Sequence, residues 1–160
     1  MTLIELLVAC TILGGGLLLV AGLYDHYLDQ AKAGAARELI AALARAAAVY
    51  REATSADPPG RMDTGCDRAL RAIRAHPASA AVLKEDSVPR LLTTDGLTRC
   101  VDPWGIPVRY LTDRSEHPEH RRRILAGGGN PIFECAGPDR DFGDANPPAR
   151  LDNLRSDDPV

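Results

Sequence analysis

The chain has 160 residues, a formal net charge of −3 and only 4% aromatic residues. This fits one small domain plus an extension, with a core built mainly from small side chains. The near-neutral charge balance gives no general signal for nucleic-acid binding, so a nucleic-acid partner is not expected. Four cysteines are present without any Cys-x-x-Cys pair, which argues against a structural zinc site.

An uncharged apolar run, LLVACTILGGGLLLVAGLY, occupies residues 6–24. As a helix it would span roughly 28 Å, close to the hydrocarbon thickness of a bilayer. The run is therefore a candidate transmembrane segment. A cleaved secretory signal fits less well, because no Lys or Arg precedes the run and the first Lys is Lys32.

Glu5 places a carboxylate at the edge of this apolar run. Holding such a charge at membrane depth costs up to about 3 kcal/mol. Three explanations fit the residue, and one is that the carboxylate reaches the headgroup region of the membrane. An acid in the first turn of a helix is favoured by the helix dipole and the free N–H groups. Alternatively, the carboxylate awaits a positive partner in the membrane, and the nearest one is the free α-amino group of a neighbouring copy.

Residues 1–8 resemble the mature N-terminus of type IV pilins and type II secretion pseudopilins, which begins Phe-Thr-Leu-Ile-Glu-Leu-Leu-Val. The match covers residues 2–8 without a gap, and an apolar run of suitable length follows. In such families, the glutamate that Glu5 matches pairs with the N-terminal amine of an adjacent subunit during assembly. The resemblance therefore implies that Glu5, Thr2 and Met1 form the assembly site of a self-polymerising protein.

Processing of the N-terminus is also implied by this resemblance. In similar proteins, a prepilin peptidase removes a short basic leader that ends in Gly and methylates the new N-terminus. Met1 stands where Phe is usual and would be the methylated residue. Either the chain is written in near-mature form or its start is misassigned. The implied location is the bacterial inner membrane, crossed once, with the C-terminal part in the periplasm. The implied partners are minor pseudopilins and an inner-membrane assembly platform.

Beyond the apolar run, apolar or small residues recur at steps of three and four as far as Tyr50. This spacing predicts an amphipathic continuation of the helix. We expect the helix to end near Glu52, before the Asp-Pro-Pro-Gly sequence of residues 57–60.

The predicted organisation has three parts. Residues 1–24 form a transmembrane and polymerisation helix, residues 25–52 continue it, and residues 53–160 form a periplasmic globular domain. Within the first part, glycines at positions 14–16 and at Gly22 fit either close helix packing or a hinge that unwinds in a filament.

The clearest pattern in the globular part is a turn at residues 102–105, Asp-Pro-Trp-Gly, followed by a strand over residues 108–111. Residues 132–136 predict the partner strand. A small antiparallel sheet packed on the long helix follows, so the expected fold class is α+β and pilin-like. Trp104 is expected to anchor the core. The turn and strand resemble the Asp-x-Trp-Gly-x-Pro segment of major pseudopilins. Weaker helical patterns lie at residues 66–75 and 80–84.

The C-terminal tail carries oxygen ligands separated by Gly and flexible residues, a composition that suits a hard cation such as calcium. It is not an EF-hand, because the ligand spacing and the terminal Glu are missing. A solvated acidic loop is the alternative. The candidate ligands are Asp139, Asp141, Asp144, Asp152 and Asn153.

The resemblance to major pseudopilins singles out three of these five candidate ligands. Major pseudopilins end with a calcium-binding Gly-x-Asp-Gly loop followed by an Asp-Asp/Asn-Ile/Leu segment. Asp139, Asp152 and Asn153 match its ligand positions, and Arg140 stands where the family has Gly. Calcium is therefore the cofactor that the resemblance implies.

Three cysteines lie outside the apolar run: Cys66, Cys100 and Cys135. In an oxidising compartment one pair could form a disulfide, and we expect Cys66 with Cys100. Spacing cannot fix the connectivity, so three separate reduced thiols remain the alternative.

Motifs of enzymes give no support for catalysis. The chain contains no G-x-S-x-G, H-E-x-x-H or P-loop sequence, so it is not expected to be an enzyme. His117 and His120 could share a metal, but we interpret the segment around Pro118 as an exposed loop, which is a poor frame for one.

The favoured function is that of a structural subunit of a type II secretion pseudopilus, a filament that helps export proteins across the outer membrane. One alternative is a type IV pilin or a DNA-uptake pseudopilin. Another is a membrane-anchored calcium-binding module that never polymerises.

Overall fold

A computed structural model describes residues 2–60, 65–85, 91–94, 97–144 and 151–158. The elements in these residues are α1 (Leu3–Thr54), α2 (Asp67–Ala75), α3 (Pro77–Glu85), β1 (Leu91–Thr94), β2 (Leu97–Cys100), β3 (Arg109–Leu111), α4 (Pro118–Ala126), β4 (Ile132–Cys135) and β5 (Leu154–Arg155). The chain divides into two compact units, Met1–Lys32 and Ala33–Val160, and the sequence of α1 runs through both.

The first unit is helical from Leu3 onward, and its residues 6–24 carry no charged side chain. The large apolar residues between Leu3 and Tyr27 are all more than half exposed, from 52% at Val8 to 81% at Leu3. This part of α1 is long and apolar enough to span a membrane. Water is a poor solvent for such a surface, so lipid or another helix is the surrounding that it favours.

The second unit begins with the part of α1 that enters a core. Ala36, Leu39, Ile40, Leu43 and Ala46 are buried, and their spacing puts them on one face of the helix. The compact unit therefore starts at Ala33 and includes the end of α1, whereas the sequence pattern placed the start of the globular domain at residue 53.

Helix α1 ends at Thr54, two residues beyond the predicted Glu52. Ser55 adopts a left-handed φ of 57°, and its N–H donates to the carbonyl oxygen of Arg51 at 2.8 Å. A left-handed residue directly after the last turn is a common way to terminate a helix.

Strands β3, β4 and β5 form an antiparallel sheet in that order. The pairing of β3 with β4, predicted from the sequence, is confirmed by the register Tyr110 with Phe133 and Leu111 with Ile132. Strand β5, which pairs with β4, was not predicted. The long N-terminal helix and this small sheet give the α+β architecture.

The two faces of this sheet pack against different helices. Tyr110 and Phe133, whose rings lie 5.1 Å apart, share a core cluster with Ile40 and other residues of α1. On the opposite face, Leu111 and Ile132 form a second cluster with Ile124 of α4. The sheet is thus the middle layer of the second unit.

The turn before β3 is built around Asp102. Its buried carboxylate oxygen Oδ1 accepts hydrogen bonds from the N–H groups of Trp104 at 3.0 Å and Ile106 at 2.8 Å. Gly105 has a φ of +89°, which a residue with a side chain adopts only at a cost. The turn directs Trp104 into the core, where it is 8% exposed, as predicted.

The segment at residues 117–123, interpreted above as an exposed loop, is mostly helix α4. Pro118 lies in the first turn of this helix, where its fixed φ favours the helix and its missing N–H costs nothing. His117 is the N-cap, and His120 is buried at 4% exposure. Residues 91–94, which the sequence left unassigned, form β1 and pair with β2.

Replacing Leu43 by Ala should lower the free energy of unfolding by about 2–5 kcal/mol, because the side chain is fully buried in the core. Urea unfolding of the full chain in mild detergent, followed by the fluorescence of Trp104, would measure this. Leu19→Ala is the control, since Leu19 is 65% exposed and lies in the other unit. An equal effect of both substitutions would contradict the assignment of Leu43 to the core.

Candidate functional site

The start of α1 is closed by two reciprocal hydrogen bonds. The backbone N–H of Thr2 donates to Glu5 Oε2 at 2.7 Å, and the N–H of Glu5 lies 3.4 Å from Thr2 Oγ1. This is a capping box, which satisfies two N–H groups that a helix leaves free at its start. Glu5 remains exposed, so a cation from outside the chain can reach its carboxylate. Met1 lies outside the described residues.

The glycines of the apolar run lie within an unbroken helix. A Cβ atom added at position 14, 15, 16 or 22 would meet nothing within 4 Å. The helix surface at these positions is therefore open to close approach by another helix.

The C-terminal tail brings together two of its predicted ligands, Asp139 and Asp152. The N–H of Asp139 donates to Asp152 Oδ2 at 3.3 Å. Gly137 makes this approach possible, because it has a φ of +79° and a Cβ there would lie 2.6 Å from the backbone oxygen of Asp152.

Asn153 is oriented by two hydrogen bonds from its amide nitrogen. Nδ2 donates to Glu134 Oε1 and to the carbonyl oxygen of Phe142, both at 3.2 Å. This orientation leaves the amide oxygen Oδ1 free. Within the described part of the chain, Asn153 Oδ1 and Asp152 Oδ1 are both buried without a hydrogen-bond partner. Buried acceptors of this kind are rare, because they lose their bonds to water without replacement.

These oxygens fit a hard cation such as calcium in their chemistry, since carboxylate and amide oxygens are the donors it prefers. Asp139 and Asp152 would supply the carboxylates and Asn153 the amide oxygen. Over the residues that the structure describes, no group of three His, Cys, Asp or Glu side chains is placed to hold a metal. The candidate set is thus limited to two carboxylates and one amide.

Asp141 and Asp144 are engaged by the protein itself. Asp141 Oδ1 accepts the N–H of Gly143 at 2.9 Å, which stabilises a local turn. Asp144 accepts two hydrogen bonds from the guanidinium of Arg109, at 3.0 and 2.6 Å. These bonds lower the pKa of Asp144 below its usual value. Asp139 is engaged in the same way as Asp141, since its Oδ1 accepts the N–H of Asp141 at 2.9 Å. Among the five candidate ligands, only Asp152 Oδ1 and Asn153 Oδ1 are buried without a hydrogen-bond partner in the described residues.

Arg140, at the position where the resembling loop has Gly, adopts a left-handed φ of 63°. A residue with a side chain is disfavoured there by roughly 1–2 kcal/mol. The loop therefore keeps the backbone conformation that Gly favours even though the residue is Arg.

A row of charged side chains crosses the sheet and was not predicted. Arg109 lies opposite Glu134, and Glu134 lies opposite Arg155. Glu134 is fully buried, and its Oε1 accepts a hydrogen bond from Arg155 Nε at 2.7 Å. The sequence offered one signal for this row, namely charged residues inside short strands of apolar ones. Their partnership depends on the register, which the sequence pattern did not specify.

Cys66 and Cys100, the predicted disulfide pair, lie next to each other in the core. The N–H of Cys66 donates to the carbonyl oxygen of Val108, and the N–H of Val108 donates to that of Cys100, both at 2.9 Å. The hydrogen bond between the two thiols, together with burial, raises the pKa of Cys66. Cys135 is also buried, and burial raises its pKa. Cys10 is exposed in the apolar run.

The rings of His117 and His120 lie 5.3 Å apart and are tilted by 58°. His117 Nε2 lies 3.8 Å from Asp144 Oδ1, and His120 Nδ1 lies 3.4 Å from the hydroxyl oxygen of Ser115. His117, at the start of α4, thus lies near Asp144 at the end of the tail loop, which comprises residues 137–144.

Oxidation of the purified chain with oxidised glutathione should join Cys66 to Cys100 and leave Cys10 and Cys135 as thiols. Thiol–disulfide exchange passes two electrons to glutathione, which leaves in its reduced form. Alkylation in denaturant, read by mass spectrometry, should then count two thiols before reduction and four after it. Cys135→Ser is the control, and one thiol should remain in it before reduction. A bridge that includes Cys135 would contradict this pairing.

Comparison with known proteins gives no assignment. No protein-family model, curated protein or solved structure matches the chain. The functional interpretation therefore depends on the residues and contacts described above.

Proposed function

We propose that this protein is a structural subunit of a type IV pilus-like filament, most similar to the major pseudopilin of a type II secretion pseudopilus. In this role the first unit anchors the chain in the inner membrane and joins neighbouring copies. The second unit lies in the periplasm. The filament assists the export of proteins across the outer membrane.

The observation that carries the proposal is the combination of Glu5 with the exposed apolar surface of the first unit. Glu5 is the only charged side chain in residues 1–24. The large apolar side chains around and after it are more than half exposed. Contact between copies would cover this surface and would place Glu5 among apolar groups, where it needs a positive partner.

The N-terminal amine of an adjacent copy supplies that positive charge. Within one chain, the carboxylate of Glu5 accepts a hydrogen bond from the N–H of Thr2. A neutral amide compensates a carboxylate less than an ammonium group does. Assembly would therefore add an ionic partner to Glu5, which fixes the axial position of one subunit against the next.

The tail of the second unit would bind calcium through Asp139, Asp152 and Asn153. The buried, unpartnered oxygens of Asp152 and Asn153 support this part of the proposal. A bound calcium ion would supply the positive charge that these oxygens lack. It would join the loop after β4 to the start of β5 and stabilise the folded unit by mass action.

Replacing Glu5 by Gln should leave the monomer folded in the membrane and reduce filament yield by roughly tenfold or more, because the amine of the next subunit loses its partner. Filaments sheared from cells with a complete assembly system would be quantified by immunoblot. Glu38→Gln, an exposed acid on α1 outside the apolar run, is the matched control. Normal filament yield from the Glu5 variant would refute the proposed assembly site.

Calcium should raise the thermal midpoint of the full chain in detergent by roughly 5 °C at a hundredfold excess over its dissociation constant. Asp152→Asn should abolish most of this shift, because it removes a carboxylate ligand. Asp113→Asn, at an exposed acid outside the tail, should keep it. An equal calcium-induced shift in both variants would exclude the proposed site. An equal shift of the unsubstituted chain with magnesium would show that the site does not distinguish calcium from magnesium.

A further inference from the structure

The charged row across the sheet connects the core to the acidic tail. Arg109 Nη1 lies 3.7 Å from Oε2 of the fully buried Glu134. Arg155 donates to the other carboxylate oxygen, Oε1, at 2.7 Å, and Asn153 Nδ2 donates to the same atom at 3.2 Å. Glu134 on the middle strand thus accepts hydrogen bonds from one guanidinium group and one amide through Oε1. A second guanidinium group lies within ion-pair distance of Oε2, which has no hydrogen-bond partner in the described residues.

Arg109 makes a second set of contacts with the end of the tail loop. Its guanidinium binds both oxygens of Asp144 and lies 3.9 Å from the ring centre of Phe142. A bidentate pair between a guanidinium and a carboxylate has a defined geometry as well as a high strength. Arg109 is only 8% exposed, so solvent screens these contacts weakly.

Asn153 makes hydrogen bonds to both strand β4 and the tail loop. Its amide nitrogen donates to Glu134 on β4 and to the carbonyl oxygen of Phe142 in the loop. The position of Phe142, which Arg109 covers, therefore helps to set the direction of the free amide oxygen of Asn153.

The guanidinium of Arg109 compensates the charge of Asp144, at the end of the tail loop. Asp144 has its cation from the protein, whereas Asp152 Oδ1 has no hydrogen-bond partner in the described residues. We infer that Arg109 is a positioning residue, which holds residues 142–144 on the sheet and so aims the amide oxygen of Asn153, with or without a bound ion. The consequence for calcium affinity rests on the proposed calcium site, whereas the anchoring of the loop does not.

Hydrogen exchange measured by mass spectrometry on the full chain in detergent tests the anchoring, with EDTA present throughout. Asp144→Asn should speed exchange at residues 142–144 on the order of tenfold, because the charged pair is lost. Asp113→Asn, the same change at an exposed acid, should have no effect there. Equal exchange in these two variants would overturn the inference. Asp144→Asn leaves the contact of Arg109 with Glu134 intact, so the core is not disturbed.

A double variant tests whether Arg109 and Asp144 act as one pair. Arg109→Gln should also speed exchange at residues 142–144, and adding Asp144→Asn to it should speed exchange no further. Effects that multiply would show that the two residues act independently and would overturn the inference. Unfolding followed by Trp104 fluorescence verifies that each variant remains folded.

Calcium titration of the same proteins distinguishes two effects of Arg109 on a bound cation, namely its positioning of Asn153 and its electrostatic repulsion of the cation. Loss of the Arg109 charge would by itself strengthen cation binding, because a nearby positive group disappears. If Arg109 positions Asn153, Arg109→Gln should instead weaken calcium binding by about tenfold. Tighter binding by this variant would overturn the positioning role. If the wild-type chain binds no calcium, the proposed calcium site fails, and the exchange measurement in EDTA still decides the anchoring.

Discussion

Helix α1 has an exposed apolar surface in its first part and a face buried in the core in its second part. The rest of the structure depends on this change of side chains along one continuous helix. Before Tyr27 the large apolar side chains are more than half exposed. From Ala36 onward one face of the helix is buried in the core. Bulky aliphatic residues dominate the first part and Ala the second. The first surface needs lipid or other copies to cover it, whereas the second is covered by the chain itself.

The three-stranded sheet connects the core around α1 to the acidic tail. One face contributes Tyr110 and Phe133 to the core with α1, and the other faces α4. On that second face, Glu134 is fully enclosed and requires compensation of its charge. The guanidinium groups on the two neighbouring strands provide it, and one of them also binds the tail loop. The ionic row is therefore a link between the core and the tail.

The side-chain oxygens of the acidic tail differ in whether the protein supplies a hydrogen-bond donor to them. Asp139, Asp141 and Asp144 have donors within the chain. The side chains of Asp152 and Asn153 each keep a buried oxygen without a partner in the described residues. The backbone allows Asp152 to approach the loop, because Gly137 has no Cβ that would clash with the carbonyl oxygen of Asp152, and Arg140 adopts a conformation that suits Gly. A cation is the ligand that would satisfy the remaining oxygens.

The sequence by itself determined the long helix, the membrane-length apolar run, the turn at Asp102 and the pairing of β3 with β4. These features depend on periodicity and turn chemistry within about ten to twenty neighbouring residues. Only the tertiary structure decided that Pro118 starts a helix, that β5 joins the sheet and that Cys66 lies beside Cys100. It also decided that Glu134 lies between two arginines. Such contacts join residues far apart in the chain, and they are set by strand register and core packing, for which a local pattern contains no information.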